Sequence, residues 1–291
     1  MILFALLLAT DVAVTVDDLP RHGAIPEGTT RVEMARALLD AFQRHKLPPV
    51  YGFVNGGKLA AEPELKEVID LWRAAGNPIG NHGYSHLPLN DTPVVDYVRD
   101  IAVNEGVLRR FGPPEMWRFY RFPYLQEGET LEKRRAVRAW LIAHRYRTAQ
   151  VTIDFDDWAF NAPYVRCLGV PDAKTAADLR QRYLGAAVDM LEVYRGLAVK
   201  LAGREIKHVL LLHVGALGAD RIEALLTAYE KAGVRWIDLP TALADPFYAT
   251  DPNVVWKAGA TLLDQVARAR GVHYDAPWNK IDEDALGKLC R

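Results

Sequence analysis

VAVTVDDLP, Val12 to Pro20, is a β-branched apolar run that ends in two adjacent carboxylates and a proline. Val12, Val14, Thr15 and Val16 favour a pleated, buried strand, so Asp17 and Asp18 stand where that strand stops. Neighbouring side chains on a strand point to opposite faces, and the two aspartates are therefore expected to diverge and to take different jobs. Asp and Pro also punctuate strand ends for conformational reasons alone. The doublet by itself marks a turn as readily as a site, and the rest of the chain has to decide between them.

Outward from this run, strand-length apolar segments alternate with amphipathic ones as far as about Leu243. That is the pattern of a parallel sheet wrapped by helices. Ala35, Leu38, Leu39 and Phe42 fall at i, i+3, i+4 and i+7, as do Leu65, Val68, Ile69 and Trp72, and again Ile222, Leu225, Leu226 and Tyr229, so each set predicts one buried helix face. Between them PVYGFVN, PIGNHGYS, WRFYRFPY, AQVTIDFDDW, HVLLLHV and VRWIDL read as further strands. The predicted architecture is α/β, a (β/α) barrel of about seven strands over residues 12–248. Residues 173–204 read as one long helix, and the tail, 249–291, carries a helical stretch from about Trp256 to Arg270.

Composition narrows the function classes. Lys and Arg number 36 against 37 Asp and Glu, with no long basic run, which argues against nucleic acid as a partner. No obligate protein partner is evident. The cysteines, Cys167 and Cys290, lack a CxxC spacing and are expected to be unpaired thiols. MILFALLLAT at the N-terminus is too short to span a bilayer. Residues 1–11 read either as an atypical export signal, which would send the protein to the periplasm or cell envelope, or as an opening core strand of a cytoplasmic protein; the export reading is the expectation.

The polar clusters share one location. Asp17 and Asp18, His82 and His86, Arg121 and Tyr124, Asp154 and Asp157, and His213 all fall at C-terminal strand ends, the rim where α/β active sites form. Two histidines and a carboxylate make a metal set with open positions for water and substrate. One Asp of the doublet can then bind the metal while its neighbour acts as general base. Each residue has a plainer role too: a loop histidine, a salt bridge for Arg121, a turn cap for Asp154 or Asp157, a packed core histidine at 213.

Taken in order, TVDD, HGYSH, RFPY, DFDDW and LLH resemble the five motifs of the polysaccharide deacetylase family, also called the NodB homology domain or carbohydrate esterase family 4. The resemblance spans about Val12 to Tyr248. It implies a distorted (β/α) barrel, and a hydrolase that removes N- or O-acetyl groups from an acetylated glycan. It further implies Asp17 as base, Asp18, His82 and His86 as ligands of a divalent metal (zinc in the first place, with Co, Ni, Fe or Mn as alternatives), Arg121 holding Asp17, and Asp157 holding Arg121. The Tyr124 N–H would face the oxyanion, Leu211 and Trp158 would wall the acetyl pocket, and His213 would be the acid. Two departures stand out: Val16 precedes and Leu19-Pro20 follows the doublet, and Gly83 replaces the hydroxyl residue expected after the first histidine, with Ser85 as its nearest substitute. Rival readings are an amidohydrolase for a small C–N substrate, a non-haem iron oxygenase, and a glycan-binding protein without turnover.

Overall fold

The structure is a computed structural model that describes residues 9–170, 173–275 and 282–291. The apolar start of the chain, and with it most of the export-signal expectation, lies outside the described residues. β1 (Thr10–Leu19) opens the fold and is buried along nearly its whole length. After it come α1 (Arg31–Arg44), β2 (Tyr51–Val54), α2 (Gly56–Ala61), α3 (Lys66–Ala74), β3 (Ile79–Asn81), α4 (Val94–Leu108), α5 (Pro114–Trp117), β4 (Phe119–Tyr120), α6 (Leu131–Ala143) and β5 (Arg147–Thr148). The second half holds α7 (Asn161–Leu168), α8 (Ala173–Ala202), β6 (His208–His213), α9 (Ala216–Lys231), β7 (Val234–Trp236), α10 (Leu239–Ala242), α11 (Leu262–Ala269) and α12 (Glu283–Lys288).

The sheet runs β5-β4-β3-β2-β1-β6, with β7 also pairing to β1, and every ladder is parallel. The helical faces lie where the apolar spacing puts them. α1 buries Met34, Ala35, Leu38, Leu39 and Phe42, and a Thr30/Glu33 capping box starts it. α3 buries Val68, Ile69 and Trp72, and α9 buries Ile222, Leu225, Leu226 and Tyr229. α1 packs between α3 and α9, so these three faces cover one side of the sheet with a single apolar layer.

AQVTIDFDDW departs from the strand expected there. Ala149 donates to Tyr120 O on β4, whereas Thr152 and Ile153 donate to Val209 O and Leu211 donates to Ile153 O on β6. The segment crosses from one sheet edge to the other and joins β6 by a lone parallel bridge, Ile153–Leu210. Its backbone groups are divided between two neighbours, so no regular ladder forms, and the crossing gives the barrel its distortion.

The tail also differs from expectation. α11 begins only at Leu262, because Thr261 and Asp264 form a capping box there, and α12 follows it. Cys167 on α7 and Cys290 are joined in a disulfide, which corrects the expectation of two unpaired thiols. α12 packs on α7 and on the turn Asp157–Phe160, and Arg166 donates to Leu289 O and Gly287 O. The fold-back of the tail brings together two sulfurs 123 residues apart, a proximity that sequence spacing does not reveal.

Candidate active site

β1 and β6 lie side by side in register, with Asp17 opposite His213 at their C-terminal ends. Asp17 is almost fully buried. Both of its oxygens accept from Arg121 Nη1 at 3.1 Å. Arg121 is equally buried and is fixed on its other sides: Nε donates to Ala149 O at 2.6 Å, Nη2 donates to Thr15 Oγ1 at 3.1 Å, and the guanidinium lies over the Phe53 ring. Burial pushes the Asp17 carboxyl up to about 6 against the opposing pull of Arg121 and His213. Removing either member of this pair would strand a buried charge, at a cost of about 3–5 kcal/mol.

The doublet does not diverge as a regular strand would require. Between Val16 and Leu19 the register of β1 against β2 slips, and Asp18 takes a left-handed φ of 68°. This bulge re-aims the second carboxylate. Asp17 Oδ2 and Asp18 Oδ1 therefore lie 3.7 and 3.9 Å from the same atom, His82 Nε2. Asp18 Oδ1 is also 3.4 Å from His86 Nε2. Its carboxyl stays well below the usual range: burial pushes it up, but the hydrogen bond from His22 and the charge of Lys58 outweigh that.

His82 stands at the end of β3 and His86 in the loop that follows. His82 Nδ1 donates to Arg121 O at 2.9 Å, which leaves Nε2 as a lone-pair donor toward the carboxylates. Burial lowers both histidines, His86 to about 4 and His82 well below its ordinary value, so both are neutral, as metal ligands must be. Asp18, His82 and His86 each offer a ligand atom, all within 4.8 Å of one another. Two neutral imidazoles and an ionised carboxylate suit a divalent cation such as zinc.

The loop is steadied differently from the family pattern. Asn55 Nδ2 donates to His82 O and Gly83 O, and Asn81 Oδ1 accepts from Gly83 N. Asp100 accepts from the backbone N–H groups of Tyr84 and Ser85. Gly83 itself has φ 73°, and a Cβ there would come within 2.8 Å of Asp100 Oδ2. A hydroxyl residue at 83 would clash where Asp100 already does the steadying, and the Ser85 side chain is not what replaces it.

On the far side of Asp18, His213 Nδ1 donates to Asp157 Oδ1 at 2.7 Å and its backbone N–H donates to Asp157 Oδ2 at 2.8 Å. Asp157 thus holds His213 and not Arg121, a correction that follows from its place in the turn beside β6. Burial lowers the imidazole, but Asp157 outweighs it and raises His213 to about 9. Asp154 caps its own turn by accepting from Asp156 N–H. Trp158 follows Asp157 and is 41% exposed, and Leu211 is buried on β6 two residues before His213. Tyr124 is half exposed, has φ 56°, and sets its ring 4.4 Å from that of His86.

Two neighbours of Asp18 escaped the sequence reading. His22 Nδ1 donates to Asp18 Oδ2 at 2.7 Å, and its ring lies 4.6 Å from that of His213. Lys58 Nζ donates to Asp18 Oδ1 at 2.8 Å. A signal for Lys58 was present: the end of β2 lies on the same rim as the other strand ends, and Asn55 and Lys58 directly follow it.

Comparison with known proteins agrees with this geometry. The family model for polysaccharide deacetylase matches residues 9–139, the part that holds Asp17, Asp18, His82, His86, Arg121 and Tyr124. No curated protein matches the sequence. Among solved structures, the chitin deacetylase of Colletotrichum lindemuthianum is similar at 19% identity and TM-score 0.55, over 81% of this chain and 90% of that one. The peptidoglycan deacetylase PdaC of Bacillus subtilis is similar at 18% identity and TM-score 0.51, over 80% and 90%. A mutant of BA3943, a CE4 family pseudoenzyme with restored activity, is similar at 15% and 0.53, over 81% and 68%. These likenesses establish the shared fold, a curled parallel sheet with surrounding helices. The family match covers the strands that carry the doublet and the histidine pair, so residues 9–139 are similar to the polysaccharide deacetylase family.

Proposed function

We propose that this protein is a metal-dependent deacetylase that removes acetyl groups, as amide or ester, from a carbohydrate. The observation that carries the reading is the arrangement of side chains around Asp18. A three-residue ligand set is flanked on one side by a carboxylate pinned to a permanent cation, and on the other by an imidazole pinned to a carboxylate. Asp18, His82 and His86 would hold a divalent cation, which would supply Lewis acidity and lower the pKa of water from 15.7 towards about 7.

The chain's own residues do the rest. Asp17 is ionised at neutral pH, and Arg121 holds it in one orientation, so it takes the proton of the attacking water. His213 is protonated at the same pH and faces the site from the adjacent strand, so it returns a proton to the departing nitrogen or oxygen. The Tyr124 N–H donates to the developing oxyanion, and Leu211 and Trp158 wall the methyl side. Residues 12–248 form the hydrolase domain, and the 249–291 tail is clasped to it through α7. The disulfide fits an oxidising compartment, which supports export; no helix among the described residues is long and apolar enough to cross a membrane.

An acetate-release assay on a panel of acetylated glycans, with and without chelator and with Asp17→Asn as control, tests the proposal. Release that stops with chelator and in the variant is expected. No release from any member of the panel, with metal supplied, would overturn it.

A further inference from the structure

Asp18 meets its site with both oxygens already engaged. Oδ2 accepts from His22, and Oδ1, the oxygen that faces His86 at 3.4 Å and His82 at 3.9 Å, accepts from Lys58 Nζ at 2.8 Å. The ammonium is fixed in place. It also donates to Asn55 Oδ1 at 2.8 Å and to Arg21 O at 3.1 Å, and it approaches Asp18 O at 3.4 Å. Asn55 in turn holds the carbonyls of His82 and Gly83, so one polar network joins Lys58 to the histidine loop.

The charges around the rim pair off. Asp17 faces Arg121, Asp157 faces His213, and Asp18 faces Lys58. Each of these three carboxylates has its own cationic partner before any divalent ion arrives. A metal bound to Asp18 Oδ1 would share that oxygen with a fixed ammonium a few ångströms away, in a buried setting where like charges repel strongly. A carboxylate that also serves a lysine is a weaker donor than one free to serve the metal.

We propose that Lys58 sets the affinity of the metal site: it is a built-in cation that competes with the divalent ion for Asp18, keeping the ion loosely held and exchangeable. The inference rests on the proposed ligand set of Asp18, His82 and His86.

The test is the affinity of the full-length, metal-stripped protein for Co²⁺ and Zn²⁺, measured by competition with a chromophoric chelator. Lys58→Met keeps most of the length of the side chain and removes its charge. It should bind roughly ten- to a hundredfold more tightly than the parent, the scale of one like charge taken from a partly buried site, and release the ion more slowly. Lys58→Arg should stay near the parent affinity. Lys58→Gln, which retains a donor for Asn55 and Asp18, should follow Lys58→Met and serves if the methionine variant does not fold. His82→Ala should abolish binding in both the parent and Lys58→Met. Equal or weaker binding by the folded neutral variants, with the parent still binding, would overturn the role of Lys58 alone. If neither parent nor neutral variants bind, the ligand set is wrong, and the metal-dependent reading falls with this inference.

Discussion

The two sides of Asp18 are built alike and tuned apart. On the β2 side, Asp17 is buried against Arg121; on the β6 side, His213 is buried against Asp157. In each pair one member faces the site and the other is held behind it. The base-side partner is a permanent cation that keeps a buried carboxylate ionised near neutrality, at about 6. The acid-side partner is a carboxylate that keeps a buried imidazole protonated, at about 9. A single device, a buried counter-charge behind a strand-end residue, would yield the base or the acid of the proposed mechanism according to which sign stands behind. The base side lies within the segment matched by the family model, and the acid side lies beyond it.

The largest effect should come from the base side. Asp17→Asn keeps the shape of the residue and removes the proton acceptor, so kcat should fall by roughly 10²-fold or more in steady-state acetate release. A fall below tenfold would mean that Asp17 is not the base. Next is Asp157→Asn. Without the carboxylate behind it, His213 should drop from about 9 towards its ordinary range, because burial is then opposed only by the charges of Asp18 and Asp17. An acid works only while protonated, so activity is lost as pH rises through its pKa. The alkaline limb of the kcat/KM profile should therefore move down by about two units or more. The acid limb, at or below about 6 and set by Asp17, should stay where it is.

The disulfide bears most directly on the acid side, because α12, which it anchors, rests on the turn Asp157–Phe160. Cys290→Ser should lower stability by about 2–4 kcal/mol in chemical denaturation. Hydrogen exchange should rise over residues 157–168 and stay unchanged around Asp17. A uniform rise would show that the tail supports both sides. Smallest in stability terms is Gly83→Ser, where a left-handed φ and the Asp100 contact should cost about 1–3 kcal/mol and weaken metal binding.

The legible parts of the molecule were those in which pattern and position coincide. A β-branched run announced β1, short apolar segments announced β2, β3 and β6, helical spacing announced the faces of α1, α3 and α9, and the polar residues at strand ends marked the rim. What escaped depended on three-dimensional detail. The convergence of Asp17 and Asp18 arises from a bulge at a left-handed residue, which period-2 reasoning cannot foresee. The partner of Asp157 was misassigned because Arg121 and His213 both lie within plausible reach of a rim carboxylate, and only the path of the turn selects between them. The disulfide required the tail to fold back across 123 residues. Lys58 lies in α2, one turn beyond the end of β2, where nothing in the apolar pattern marks it as a partner of Asp18.

In the proposed mechanism the doublet is divided, Asp18 for the metal and Asp17 for the proton. Metal content of purified Asp17→Asn and Asp18→Asn, measured side by side by atomic emission and followed by titration with added Zn²⁺, tests it most directly. Asp17→Asn should retain close to the parent's metal and gain no activity from excess zinc. Asp18→Asn should lose most of its metal, because a neutral amide is a poorer ligand, and should recover part of its activity when zinc is added. Equal metal loss in both variants, or rescue of Asp17→Asn by added zinc, would contradict the division.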